Sequence, residues 1–165
     1  EEPNALHMEN IDPHIWSSPK RARIIVKNMY DAFVDIDPDG KEYYTRNYEK
    51  LVEEINRIDT LLTHKLAPHK GEMFAIYPSL SYLAHDYGLR QLSVELNGKG
   101  PSAFYMKRAV DIARENNVHI VFIQKEFNIK QALTFAEELK GTVVQIDPLN
   151  YEWGEELIHI ADAFD

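Results

Sequence analysis

From residue 71 onward the chain alternates short apolar runs with helix-length segments, and this alternation restricts its fold more than any other feature. The runs are MFAIY (73–77), QLSVEL (91–96), HIVFIQ (119–124) and TVVQI (142–146), and helical patterns over 79–87, 102–116, 129–139 and 154–164 follow them. Antiparallel strands can be joined by a two-residue turn, whereas parallel strands need a crossover of a dozen residues or so, usually a helix. The spacing therefore predicts an α/β lobe in which a four-stranded parallel sheet is wrapped by helices. Sheets of this kind bind ligands beyond the carboxyl ends of their strands. Those ends are Tyr77–Pro78, Glu95, Gln124 with Glu126, and Asp147–Pro148.

The first seventy residues carry a different pattern. A hydroxyl pair, Ser17–Ser18, precedes Pro19, which suits a capping side chain ahead of a first-turn proline. Ala22, Ile25, Val26, Met29, Phe33 and Ile36 then recur with helical period until DPDG at 37–40 supplies a turn. A second stripe, Tyr44, Tyr48, Leu51, Val52, Ile55, Ile58 and Leu62, continues until Pro68. A helix over 41–66 would extend about 39 Å at 1.5 Å per residue, longer than a small lobe is wide. It reads as a connecting rod. The division expected is a lobe tail at 1–40, a long connecting helix at 41–70 and the α/β lobe at 71–165.

Several classes of function are excluded or disfavoured. The net charge of −9 is spread along the 165 residues and repels phosphate backbones, so nucleic acid is not expected as a partner. With no cysteine, disulfides, thiolate metal sites and cysteine nucleophiles are absent. No apolar run approaches the roughly 18 residues of a membrane span, and the opening EEPNALH, lacking an initiator Met and a signal core, reads as a cut. The strand-to-helix turns contain no dinucleotide fingerprint, phosphate loop or nucleophile elbow, and no enzyme is expected. Ser79 and Ser81 read as helix caps. Seven histidines are present without an H-x-x-x-H or H-E-x-x-H pair, so a metal site must be assembled from distant segments.

DPHIWSSP at 12–19, DYGL at 86–89, PSA at 101–103 and IDPL at 146–149 with Trp153 after it are together specific. With the αβ pattern around them they make the chain similar to the ZnuA/TroA-type solute-binding proteins of ABC transporters for zinc and manganese. The resemblance covers nearly the whole chain. It implies two αβ lobes joined by a long backbone helix, with a metal ion between them held by three His and one Asp or Glu. By position, His14 stands where the family has a ligand histidine, and Asp147 where it has the late carboxylate. An Asx turn before Pro148 is the alternative role for Asp147, and an edge packing role beside Trp16 the alternative for His14. His7 reads as the remainder of the family's His-rich loop, and His64, His69, His85 and His119 as surface residues.

Tyr77 occupies the strand end where relatives carry another ligand histidine. A phenol with a pKa near 10 is a poor zinc ligand at neutral pH unless the metal itself deprotonates it. The resemblance implies an extracytoplasmic protein, periplasmic or lipid-anchored and monomeric at full length. It would capture Zn²⁺, with Mn²⁺ as the alternative, and deliver it to a membrane permease. The competing reading is a binding or adhesive module of the same descent that no longer holds metal.

Overall fold

In the computed structural model, residues 12–76, 80–94, 103–125 and 129–165 are described. A 3₁₀ turn at Ile15–Ser17 leads into α1 (Pro19–Ile36), and a second at Pro38–Gly40 into α2 (Lys41–Leu66). The αβ alternation follows: β1 (Met73–Ile76), α3 (Ser81–Tyr87), β2 (Arg90–Ser93), α4 (Ala103–Glu115), β3 (Ile120–Gln124), α5 (Ile129–Leu139), β4 (Thr142–Ile146) and α6 (Trp153–Asp162). The sheet order is β2-β1-β3-β4 and every pairing is parallel, with Ala75 beside Val121 and Val121 beside Val143. This is the α/β sheet that the spacing requires. The rod spans the residues expected of it, 41–66, whereas β2 begins one residue early and its outer end, 95–96, lies outside the described residues.

Alternation along the strands builds two cores. Phe74, Ile120 and Phe122 point to one face and meet Leu62 and Leu66 of α2, Leu83 and Tyr87 of α3 and Leu157 and Ile160 of α6. Ala75, Val121 and Ile123 point to the other and meet Val110 and Ala113 of α4 and Ala132 and Phe135 of α5. Both faces of the sheet are therefore covered, which is why its central strand, IVFIQ, is apolar without interruption until Gln124. Gly88 ends α3 at φ +77°, a left-handed position that costs glycine little. Gly141 is required by proximity instead: a Cβ there would lie 2.5 Å from the His119 carbonyl oxygen.

The hydroxyls expected as helix caps do other work. Ser18 makes no capping bond at α1; its Oγ donates to Asp86 Oδ2 at 2.8 Å. Ser81 is inside α3, whose N-cap is Leu80, and its Oγ donates to Asp12 Oδ2. In both cases the one O–H of the serine goes to a carboxylate from a distant segment, a charge-assisted bond roughly twice as strong as a neutral one. Ser79 lies outside the described residues.

Candidate metal site

The segment carrying His14 is docked on the α/β lobe by side chains on both sides of it. Asp12 Oδ1 accepts from the His14 backbone N–H at 2.9 Å and lies 2.6 Å from His14 Nδ1, while its Oδ2 accepts from Ser81. The Tyr82 hydroxyl donates to the Asp12 carbonyl at 2.9 Å. Burial works against the charge on the Asp12 carboxylate. The bonds from Ser81 and from the backbone and ring of His14 outweigh it and hold the pKa below the ordinary carboxylate value. The His14 ring stands edge-on to Trp16, with centroids 5.5 Å apart.

Two indoles then bind this segment, one to the loop after β4 and one to the start of α6. Trp16 Nε1 donates to the Pro148 carbonyl and Trp153 Nε1 donates to the Trp16 carbonyl, each at 2.9 Å. Asp147, at the carboxyl end of β4, is thereby brought to the same wall as the His14 segment, although 132 residues separate Trp16 from Pro148. Glu156 of α6 fixes that loop: its Oε1 accepts the Asp147 N–H at 2.7 Å and its Oε2 accepts from Asn150 Nδ2 at 3.3 Å. The Asp147 side chain makes the Asx-type bond considered as its alternative, Oδ1 accepting the Leu149 N–H at 3.3 Å, and its Oδ2 accepts from Lys125 Nζ.

Of the three positions assigned from sequence, His14 and Asp147 therefore sit on segments that the fold clasps together. Tyr77 lies outside the described residues, as do the strand-end residues Glu95 and Glu126 and the N-terminal His7. Among the described residues no three His, Asp or Glu side chains gather closely enough to enclose a metal. His85 is a surface residue as expected, whereas His69 is mostly buried, 3.0 Å from Glu72 Oε1 through Nδ1.

Of the residues behind the candidate ligands, sequence reasoning passed over Asp12, Lys125 and Glu156 and read Ser81 as a helix cap. The i,i+2 spacing of Asp12 and His14 around a proline is a local signal that could have been read. Glu156 and Ser81 carried none, because their partners are set by packing.

The family profile described as "ZnuA: Zinc-uptake complex component A periplasmic" matches residues 1–160. The chain belongs to the ZnuA family. The high-affinity zinc uptake system protein ZnuA of Bacillus subtilis is 33% identical over 132 residues, covering 78% of this chain and 41% of that protein. The iron-binding protein YfeA of Yersinia pestis is 31% identical over 154 residues, covering 87% of the chain and 49% of that protein. A ZnuA crystal structure superposes with a TM-score of 0.88 at 31% identity over 98% of this chain and 64% of that one. This ZnuA-family chain thus spans less than half the length of these two curated relatives.

Proposed function

We propose that this chain belongs to an extracytoplasmic binding protein that captures a divalent transition metal, zinc foremost, and passes it to an ABC permease. His14 and Asp147 are its metal-ligating side chains, and position 77 is the third point of the site. On this reading residues 71–165 form one lobe, 41–70 the connecting helix and 1–40 the tail of the other lobe. The observation that carries it is the pair of indole bonds that joins the His14 segment to the loop of Asp147 and to the start of α6. Imidazole and carboxylate suit Zn²⁺ and also Mn²⁺, and intrinsic affinity favours zinc where both are available. The relatives' names, one a zinc uptake protein and one an iron-binding protein, favour metal cargo over a metal-free adhesive module.

The metal is cargo, so binding must be strong enough to capture and weak enough to release. Asp147 already neutralises the Lys125 ammonium, and an incoming dication has to replace that partner at Oδ2. Zinc sites want four ligands, or three with water. Two conventional ligands and a phenol should bind it weakly.

Calorimetric titration of Zn²⁺ and Mn²⁺ into the chain, Tyr77→His and His14→Ala/Tyr77→His tests this. Tyr77→His should tighten zinc binding near neutral pH, with the gain fading below about pH 6 as imidazole protonates. Removing His14 should abolish the gain. Equal affinity in all three chains would exclude these positions as the site.

A further inference from the structure

We infer that Asp12 is a positioning residue that sets the tautomer of His14, holding the proton on Nδ1 and leaving Nε2 as the nitrogen that can ligate. The metal consequence rests on the reading of His14 as a ligand; the tautomer does not. A carboxylate is an acceptor only, so the ring nitrogen 2.6 Å from Asp12 Oδ1 must be the one that carries hydrogen. A neutral imidazole has one N–H, and the lone pair is then on Nε2.

Asp12 cannot turn away from this task without losing other bonds. Its Oδ1 also accepts the His14 backbone N–H, its Oδ2 accepts from Ser81, and its carbonyl accepts from Tyr82. Ser81 and Tyr82 are the first residues of α3, so the ring's orientation is referred to the α/β lobe rather than to the short segment that carries it. The adjoining 3₁₀ turn, in which Ser17 N–H donates to the His14 carbonyl at 3.0 Å, fixes the backbone on the other side. The ring is thus ordered when the protein folds, and that ordering cost does not fall on metal binding. Losing a carboxylate partner behind a ligating histidine typically costs 10–100-fold in metal affinity.

Long-range ¹H–¹⁵N NMR of the ring nitrogens tests the assignment. It is recorded on the metal-free chain at about pH 8.5, two units above the ordinary histidine value, with the His14 signals identified by their loss in His14→Gln. The intact chain should show the Nδ1–H tautomer at His14. Asp12→Ala should shift it toward Nε2–H, the form imidazole prefers in water, whereas Asp12→Asn, whose side-chain oxygen still accepts, should retain Nδ1–H. Ser81→Ala separates a tether from a tautomer effect, since it removes one contact to α3 but leaves Oδ1 in place, and the tautomer should persist.

An Nε2–H ring in the intact chain, or a tautomer unchanged by Asp12→Ala in a protein that keeps its circular dichroism, would overturn the inference. Zinc titration of the same chains should show a 10–100-fold loss in Asp12→Ala with partial recovery in Asp12→Asn. If His14→Gln leaves zinc affinity unmoved, the ligand reading fails, and the NMR result still decides the role of Asp12.

Discussion

The hairpin of α1 and α2 has two ends of similar sequence character and different fate. At the end beside the sheet, Ile55, Ile58, Leu62 and Leu66 of α2 are no more than 1% exposed, the last three sharing a core with residues of α3 and α6. At the far end Phe33 is 48% exposed, Leu51 47%, Tyr43 61% and Ile36 82%. Those residues cover one another only in part: Tyr30 stacks on Tyr48 at 4.7 Å and Phe33 on Tyr44 at 5.4 Å, beside an apolar groove of about 310 Å³. Helical periodicity marks which face of a helix is apolar, and says nothing about whether the chain supplies something to cover it. The polar contacts follow the same division. At the covered end Ser18 and Arg21 bind Asp86 and Arg23 binds Asp59, which also accepts the Tyr87 hydroxyl at 2.7 Å. The far end has local pairs such as Lys27–Asp31 and Arg46–Glu42.

The largest test of this difference is Leu62→Ala. A fully buried leucine at the meeting of α2 with the sheet should cost about 2–5 kcal/mol, depending on how far the site collapses. For a domain of ordinary stability that is a large share of the total. The urea midpoint should fall steeply, with little change in slope. A loss below about 1 kcal/mol would mean that the lobe does not depend on the rod for its core.

Asp86 ranks next. Its side chain is 7% exposed and accepts from Arg21 through both oxygens at 2.9 Å. Burial alone would raise its pKa, but the bonds from Arg21, His85 and Ser18 pull it down to about 2 from an ordinary 3.8. A depressed carboxylate stabilises the fold above its unfolded pKa and loses that contribution as pH falls toward its folded one. The stabilisation, at most about 2 kcal/mol, should therefore be complete above about pH 5 and drain away between roughly pH 4 and pH 2. Asp86→Asn should be less stable at neutral pH and should lack this component of acid unfolding. Equal pH profiles for the two chains below pH 4 would contradict the assignment.

The same contrast explains what could be read from sequence. Strand alternation, helix period and the long rod were legible because each is a local pattern with one physical meaning, and the parallel sheet followed from the length of the connections. The docking of residues 12–21 on α3 and on the loop after β4 was not. Ser18 and Ser81 have the local look of helix caps, and only the fold reveals that their O–H groups reach Asp86 and Asp12. At the candidate site, His14 and Asp147 were found through a resemblance in short motifs. Lys125 and Glu156 act on the Asp147 loop across strands and turns, where sequence spacing holds no periodicity to detect; only Asp12, two residues before His14, left a local signal.

The smallest effects belong to the far end of the hairpin, and they sharpen the comparison most. Phe33 contributes half of its surface and one stacked pair with Tyr44, an arrangement worth about 0.5–1.5 kcal/mol beyond area, so Phe33→Ser should cost clearly less than Leu62→Ala. Ile36, at the last turn of α1, is 82% exposed; Ile36→Ser should fall within about 0.5 kcal/mol of the intact chain. An exposed apolar stripe of this kind also promotes association between chains. Light scattering at rising concentration should therefore show less association for Phe33→Ser and Ile36→Ser than for the unmodified protein. The decisive comparison is the urea midpoint of Phe33→Ser against that of Leu62→Ala. Equal losses would mean that the far end is packed as tightly in solution as the end beneath the sheet, and the distinction between a covered and an uncovered half of one helical hairpin would fail.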